Sequence, residues 1–210
     1  MRKTLVLSII AAGLFFPLFI FTGKWNIDFW WWMAINIGIL LLLVNISDPE
    51  WRIEIRSDIK DQLIKKIGLG IFSAVALYLI FAIGNYLSQT LFDFARTEIA
   101  AVYAYKSSAS PLRIGILMLL IIGPGEELFW RGFVQRRFQN DTGQWPGFIL
   151  TTGIYTFIHL GSGNIMLILA AGICGLFWGY LYLRYRSMLL NAVSHTIWDI
   201  LIFIILPVNF

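Results

Sequence analysis

Gly123-Pro-Gly-Glu-Glu-Leu-Phe-Trp-Arg-Gly-Phe-Val-Gln-Arg-Arg-Phe138 sets two adjacent carboxylates and an arginine at the end of an apolar run. A charge at membrane depth costs about 2.5 to 3.5 kcal/mol on insertion scales, so Glu126, Glu127 and Arg131 need partners or a task. The chain has only two histidines, His159 and His195, and both lie in apolar segments. The expectation is that three helices converge on one polar site buried in a membrane protein.

Composition supports the membrane half of that expectation. Of 210 residues, 59% are apolar, 16% aromatic and only 13% charged, against about a quarter charged in soluble domains. The mean hydropathy is +0.76. The fold class expected is all-α, a polytopic transmembrane bundle of about seven spans. It is read as one integral-membrane domain, 1–210, because no soluble block is long enough to bury its own core. The net charge of +4 comes from basic residues between apolar runs, so it reads as a topology signal. Basic runs interleaved with stacking aromatics are absent, and no nucleic-acid partner is expected. Cys174 lies in an apolar helix and reads as small hydrophobic filler.

The spans expected are residues 4–22, 29–46, 67–87, 111–138, 146–160, 165–183 and 188–206. The first is long for a signal-peptide core, and no small-x-small cleavage site follows it before Lys24. The Phe-Trp-Trp-Trp opening of the second suits a headgroup anchor. Between spans, 47–66 reads either as an interfacial amphipathic helix from Asp58 onward, with Ile59, Leu63, Ile64 and Ile67 at helical spacing, or as a solvated loop. Residues 88–110 read either as a surface helix over the mouth of the site or, in preference, as a plain connector. Gly123-Pro124-Gly125 is expected to break the fourth span just before the glutamates and expose backbone there.

Basic residues are unequally shared between alternate connections. Arg2, Lys3, Arg52, Arg56, Lys60, Lys65, Lys66, Arg136, Arg137, Arg184 and Arg186 fall on one side, and Lys24, Arg96, Lys106 and Arg113 on the other. The positive-inside rule then places the N-terminus inside and the C-terminus outside. At about 1.5 Å per helical residue, Glu126, Arg131 and His195 lie in the cytoplasmic half and His159 deeper, which predicts a cavity opening to the cytoplasm.

Spacing also divides the roles. Glu127 and Arg131 are four apart on one helical face and can pair, whereas Glu126 is turned about 100 degrees away, toward a cavity. A carboxylate in a poorly solvated pocket is a competent general base for water. Tyr155 and His159, again four apart, share a face, so Tyr155 can orient the ring or donate to an intermediate. Asn191, His195 and Asp199 form a polar stripe in which Asn191 or Asp199 can fix the His195 tautomer. His195 can then donate to a developing oxyanion.

Glu126-Glu127-Leu-Phe-Trp-Arg131, then aromatic-x-x-x-His at Tyr155 and His159, then His195-x-x-x-Asp199, resembles the CAAX-processing and bacteriocin-processing (CPBP or Abi) intramembrane endopeptidases. The likeness covers roughly 111–199, which it marks as the catalytic core. In that family Phe usually stands where this chain has Tyr155. The resemblance implies endopeptidase action on a membrane-associated peptide or protein: a prenylated tail, a pheromone or a bacteriocin leader. It implies that Glu126 and His159 activate water while His195 and Asp199 assist at the oxyanion. It leaves open a zinc ion on Glu126, His159 and His195, since two imidazoles and a carboxylate leave a position for water. It also implies a prokaryotic plasma-membrane setting among lipid. The His-Glu-x-x-His string of zincins is missing, and no internal repeat of the transporter kind is seen. The alternative kept is a non-enzymatic immunity or scaffold protein that retains the polar cluster.

Overall fold

Each apolar run is helical in the computed structural model, which describes residues 1–22 and 28–208. The backbone must satisfy its own polar groups in lipid, and a helix does so within one segment. The helices are α1 (Arg2–Phe21), α2 (Phe29–Ser47), α3 (Pro49–Lys60), α4 (Leu63–Leu91), α5 (Ala95–Tyr103), α6 (111–142), α7 (Gln144–His159), α8 (Ile165–Tyr185) and α9 (Met188–Ile205). Among the described residues there is no strand. Five helices, α1, α2, α4, α8 and α9, have the length and apolarity to cross a membrane. The interrupted α6 and the 16-residue α7 complete the seven runs read from the sequence. Lys24 lies outside the described residues.

Capping marks the helix starts. Asp28 accepts from the Trp30 and Trp31 amides, Ser110 from Arg113, Asn164 from Leu167 and Ser187 from Leu190. Each satisfies a donor the first turn leaves free.

The connections assigned to one side do meet. Lys3 Nζ donates to the Ser47 carbonyl at 3.5 Å, Arg136 pairs with Asp48 and Glu54, and Arg186 donates to Gln139. At the opposite end, Arg113 pairs with Asp28, Trp30 Nε1 donates to the Tyr105 carbonyl at 3.0 Å and Asn164 Nδ2 to that of Glu98 at 2.8 Å. The molecule thus has a basic end and a far end.

Three expectations are corrected. First, Gly123-Pro124-Gly125 does not break α6 and exposes no backbone there; both glycines are buried. The missing proline N–H is absorbed by a widened π turn, Met118–Ile122, closed by the Gly123 amide on the Met118 carbonyl, and a second π turn spans Trp130–Gln135. Such turns let a helix carry a proline without separating. The glycines serve close packing: a Cβ on Gly123 would collide with Thr196 of α9, and one on Gly125 with Ile37 of α2. Second, the surface helix occupies 49–60 and does not run on from Asp58 through Ile67. Gln62, at φ 46, ends it, and α4 starts at Leu63. Third, the 88–110 connector carries α5 and a 3-10 segment, Ala104–Ser108. Glu98 accepts from the Met166 amide at 2.9 Å, and Tyr103 donates to the Ile202 carbonyl at 2.9 Å. These bonds hold α5 across the far end.

α6 is the axis of the bundle, packed on α2, α7 and α9. A methyl group at Gly123 should push α6 from α9. Gly123→Ala is expected to lower thermal stability by about 1–3 kcal/mol, read as the unfolding midpoint in detergent.

Candidate active site

The two π turns of α6 enclose Gly123–Phe129, and this short α segment presents Glu126 and Glu127 on different faces. Glu126 lines a cavity of about 120 Å³ and Glu127 does not. His159 reaches the same cavity from the end of α7, and His195 and Asp199 reach it from α9. The three helices therefore bring their polar residues to one place. Among the described residues every histidine is in that cavity wall.

Glu127 is fully buried, with its side chain and that of Arg131 almost without exposure. Its Oε1 accepts from Arg131 Nη1 at 2.7 Å and lies 2.8 Å from His195 Nδ1; its Oε2 accepts from Asn191 Nδ2 at 3.2 Å. One carboxylate thus ties α6 to α9 through three partners. Arg131 is set further by the Gly175 carbonyl at 3.5 Å and lies over the rings of Tyr155 and Trp178. Small residues at Gly175 and Gly179 allow α7 to approach α8 closely, with Thr152 donating to the Gly175 carbonyl at 3.2 Å, as in membrane helix pairs generally.

Tyr155 bridges the other two groups. Its hydroxyl donates to Glu126 Oε2 at 3.2 Å, and its carbonyl accepts from His159 Nδ1 at 2.8 Å. A carbonyl only accepts, so the His159 Nδ1 carries a proton and its Nε2 is the free nitrogen. Orientation of His159 comes from the Tyr155 backbone, and the phenol serves Glu126. A recess of about 10 Å³ between Glu126, Tyr155 and His159 has room for about one water. His195 and Asp199 do not line it.

The partner of His195 differs from the sequence reading. Neither Asn191 nor Asp199 occupies Nδ1; Glu127 does, from a different helix. Asn191 instead bonds to Glu127 and to the Trp178 carbonyl, the latter at 2.7 Å. Asp199 Oδ2 lies 3.7 Å from His195 Nε2, too far for a hydrogen bond, and is a buried acceptor with no partner. The residue that sequence reasoning missed is Trp178, whose ring stacks on His195 at 3.7 Å between centroids and whose Nε1 donates to Ser194 at 3.1 Å. Ala171, Cys174 and Trp178 do recur at helical spacing, but such a stripe signals packing alone.

The cavity reaches toward the other end from the one expected. Its walls run to Phe29 and Trp30 of α2, Val102 of α5, Tyr105 and Phe203, all at the far end. On the basic side Arg131 and Phe133 are fully buried, as is Trp178, which lines the cavity. Depth along single helices could not reveal this, because where a cavity runs depends on side chains from several helices.

Among the described residues no three histidine, cysteine, aspartate or glutamate side chains form a group fit to hold a metal ion. Glu126 is engaged by Tyr155 and the His195 Nδ1 by Glu127, so the set Glu126, His159 and His195 does not make a ready cage, and no step below passes through a metal.

Removing Arg131 should leave Glu127 charged and uncompensated. Arg131→Met is expected to cost about 3–5 kcal/mol, whereas the double variant with Glu127→Gln should recover part of that loss; denaturation of purified protein measures both.

Residues 108–201 match the family described as "Type II CAAX prenyl endopeptidase Rce1-like". The matched stretch holds all four cavity residues and the Glu127–Arg131 pair. No curated protein and no solved structure matches the chain.

Proposed function

Because residues 108–201 match the Rce1-like family of type II CAAX prenyl endopeptidases, we propose that this integral membrane protein hydrolyses a peptide bond of a membrane-associated substrate, the core of the reaction lying within 111–199 of one domain, 1–210. The observation that carries the reading is the water-sized recess bounded by Glu126 and His159, beside the wider cavity that His195 and Asp199 also line. Water and oxyanion then have separate places.

Glu126 takes a proton from the water, which His159 Nε2 helps to align, and the water oxygen bonds to the scissile carbonyl carbon. Negative charge moves to the carbonyl oxygen, where His195, as an imidazolium whose Nδ1–H is held by Glu127, donates its Nε2–H. Asp199 Oδ2, 3.7 Å from that nitrogen, adds negative charge beside the imidazolium. The carbon–nitrogen bond then breaks, and the departing amine takes the proton held by Glu126. Tyr155 aligns Glu126, Asn191 aligns Glu127, and the Glu127–Arg131 pair is structural support for His195.

The N-in, C-out orientation follows from the distribution of basic residues, and it turns the cavity mouth away from the cytoplasm. A substrate carried in the outer leaflet suits that geometry. Since Cys174 is the single cysteine and is buried, an introduced cysteine reports orientation alone. In intact cells Ser107→Cys should react with an impermeant maleimide and Lys60→Cys should not; the reverse pattern inverts the topology.

Glu126→Gln and His195→Ala should each remove cleavage of reporter peptides by folded protein, a loss of about 100-fold or more. Comparing membrane peptides of cells that carry wild-type or Glu126→Gln protein identifies the substrate. Full turnover by either variant excludes the assigned roles, and no cleavage by wild type supports an immunity or scaffold protein.

A further inference from the structure

α3 sorts its charges. Asp48, just before the helix, pairs with both Arg136 and Arg137, Glu54 pairs with Arg136, and Asp58 Oδ2 accepts from the Leu189 amide at 2.7 Å while Lys66 holds its Oδ1 at 2.8 Å. These acids are used inward, against α6, α9 and the start of α4. The cations Arg52, Arg56 and Lys60 recur every four residues, so they form one row. All three are exposed and meet no carboxylate among the described residues. Ile53 and Ile59 are exposed beside them, at 69% and 45%.

We infer that the outer face of α3 is a binding site for anionic phospholipid headgroups, and that α3 passes their binding to the buried polar site. A row of unpaired cations beside exposed isoleucines, on a surface helix at the basic end of a membrane bundle, matches an anionic leaflet in charge and apolarity. The inner face supplies the connection. Trp51 is buried and its Nε1 donates to the Leu128 carbonyl at 3.0 Å, one residue after Glu127, where α6 is about to widen into its second π turn. A Cβ on Gly132 would strike both Trp51 and Met188, so α3, α6 and α9 meet at one point. Asp58 holds the first turn of α9 six residues before His195. Trp51 and Asp58 are positioning residues: they touch the backbones that place Glu127 and His195. Lipid binding stands apart from the proposed peptidase activity; only an effect on turnover rests on it.

The test uses the full chain in nanodiscs of phosphatidylcholine, with or without phosphatidylglycerol, followed by native mass spectrometry of retained lipid. Wild type should keep phosphatidylglycerol preferentially. Each of Arg52→Gln, Arg56→Gln and Lys60→Gln should reduce that enrichment by roughly fivefold, and the triple variant should abolish it. Equal enrichment in wild type and triple variant overturns the site. Hydrogen exchange reads the coupling without needing activity. Amides of 130–135 should exchange more slowly in wild type when phosphatidylglycerol is present. Trp51→Phe, which keeps an aromatic ring but loses the donor, should still retain the lipid yet show no such slowing. Lipid-independent exchange in wild type overturns the coupling. If both shifts occur and no peptide is cut, the peptidase reading fails and the lipid site stands.

Discussion

A carboxylate buried in a membrane bundle must be neutralised or hydrogen-bonded, and Glu127 is met on every side. Arg131 supplies the charge, Asn191 a further donor, and His195 an imidazole whose orientation is thereby set. Breaking such a pair leaves an orphaned charge at a cost of several kcal/mol, so α6 and α9 cannot slide or rotate freely past each other. This one constraint places the wall on which Glu126, His195 and Asp199 face a common cavity.

The two adjacent glutamates thus divide between support and chemistry because the helix turns by about 100 degrees per residue. Glu127 faces the α9 interface and is saturated with partners. Glu126 faces the cavity with a single bond, from Tyr155. The tyrosine also fixes His159 through its carbonyl, so α7 contributes a unit rather than two independent residues. Packing completes the arrangement. Trp178 stacks on His195, and Arg131 lies over its ring.

A straight helix carrying Pro124 would lose a hydrogen bond and clash with its preceding turn. Widening before and after Gly123–Phe129 keeps the helix continuous, and it leaves the Leu128 carbonyl to accept from Trp51. The surface helix α3 is therefore bound to the α segment of α6 that lies between its two π turns.

Much of this was legible in the sequence, for reasons that are local. Seven apolar runs bounded by charge, capping residues and glycine can only be helices in lipid. A four-residue interval puts Glu127 beside Arg131 on any helix, and the scarcity of buried charge singled out Glu126, Glu127, Arg131, His159, His195 and Asp199. Tertiary structure alone decided the rest. Glu127, and not Asn191 or Asp199, sits on His195, because contact between helices depends on rotation and depth that intrahelical spacing does not encode. The cavity reaches toward the far end because side chains from separate elements, Phe29, Trp30, Tyr105 and Phe203, wall it there. Pro124 does not end the helix because the chain could widen its turns around glycines packed against α2 and α9. Periodicity governs what one helix can do; which residues of different helices touch is set by how all of them pack.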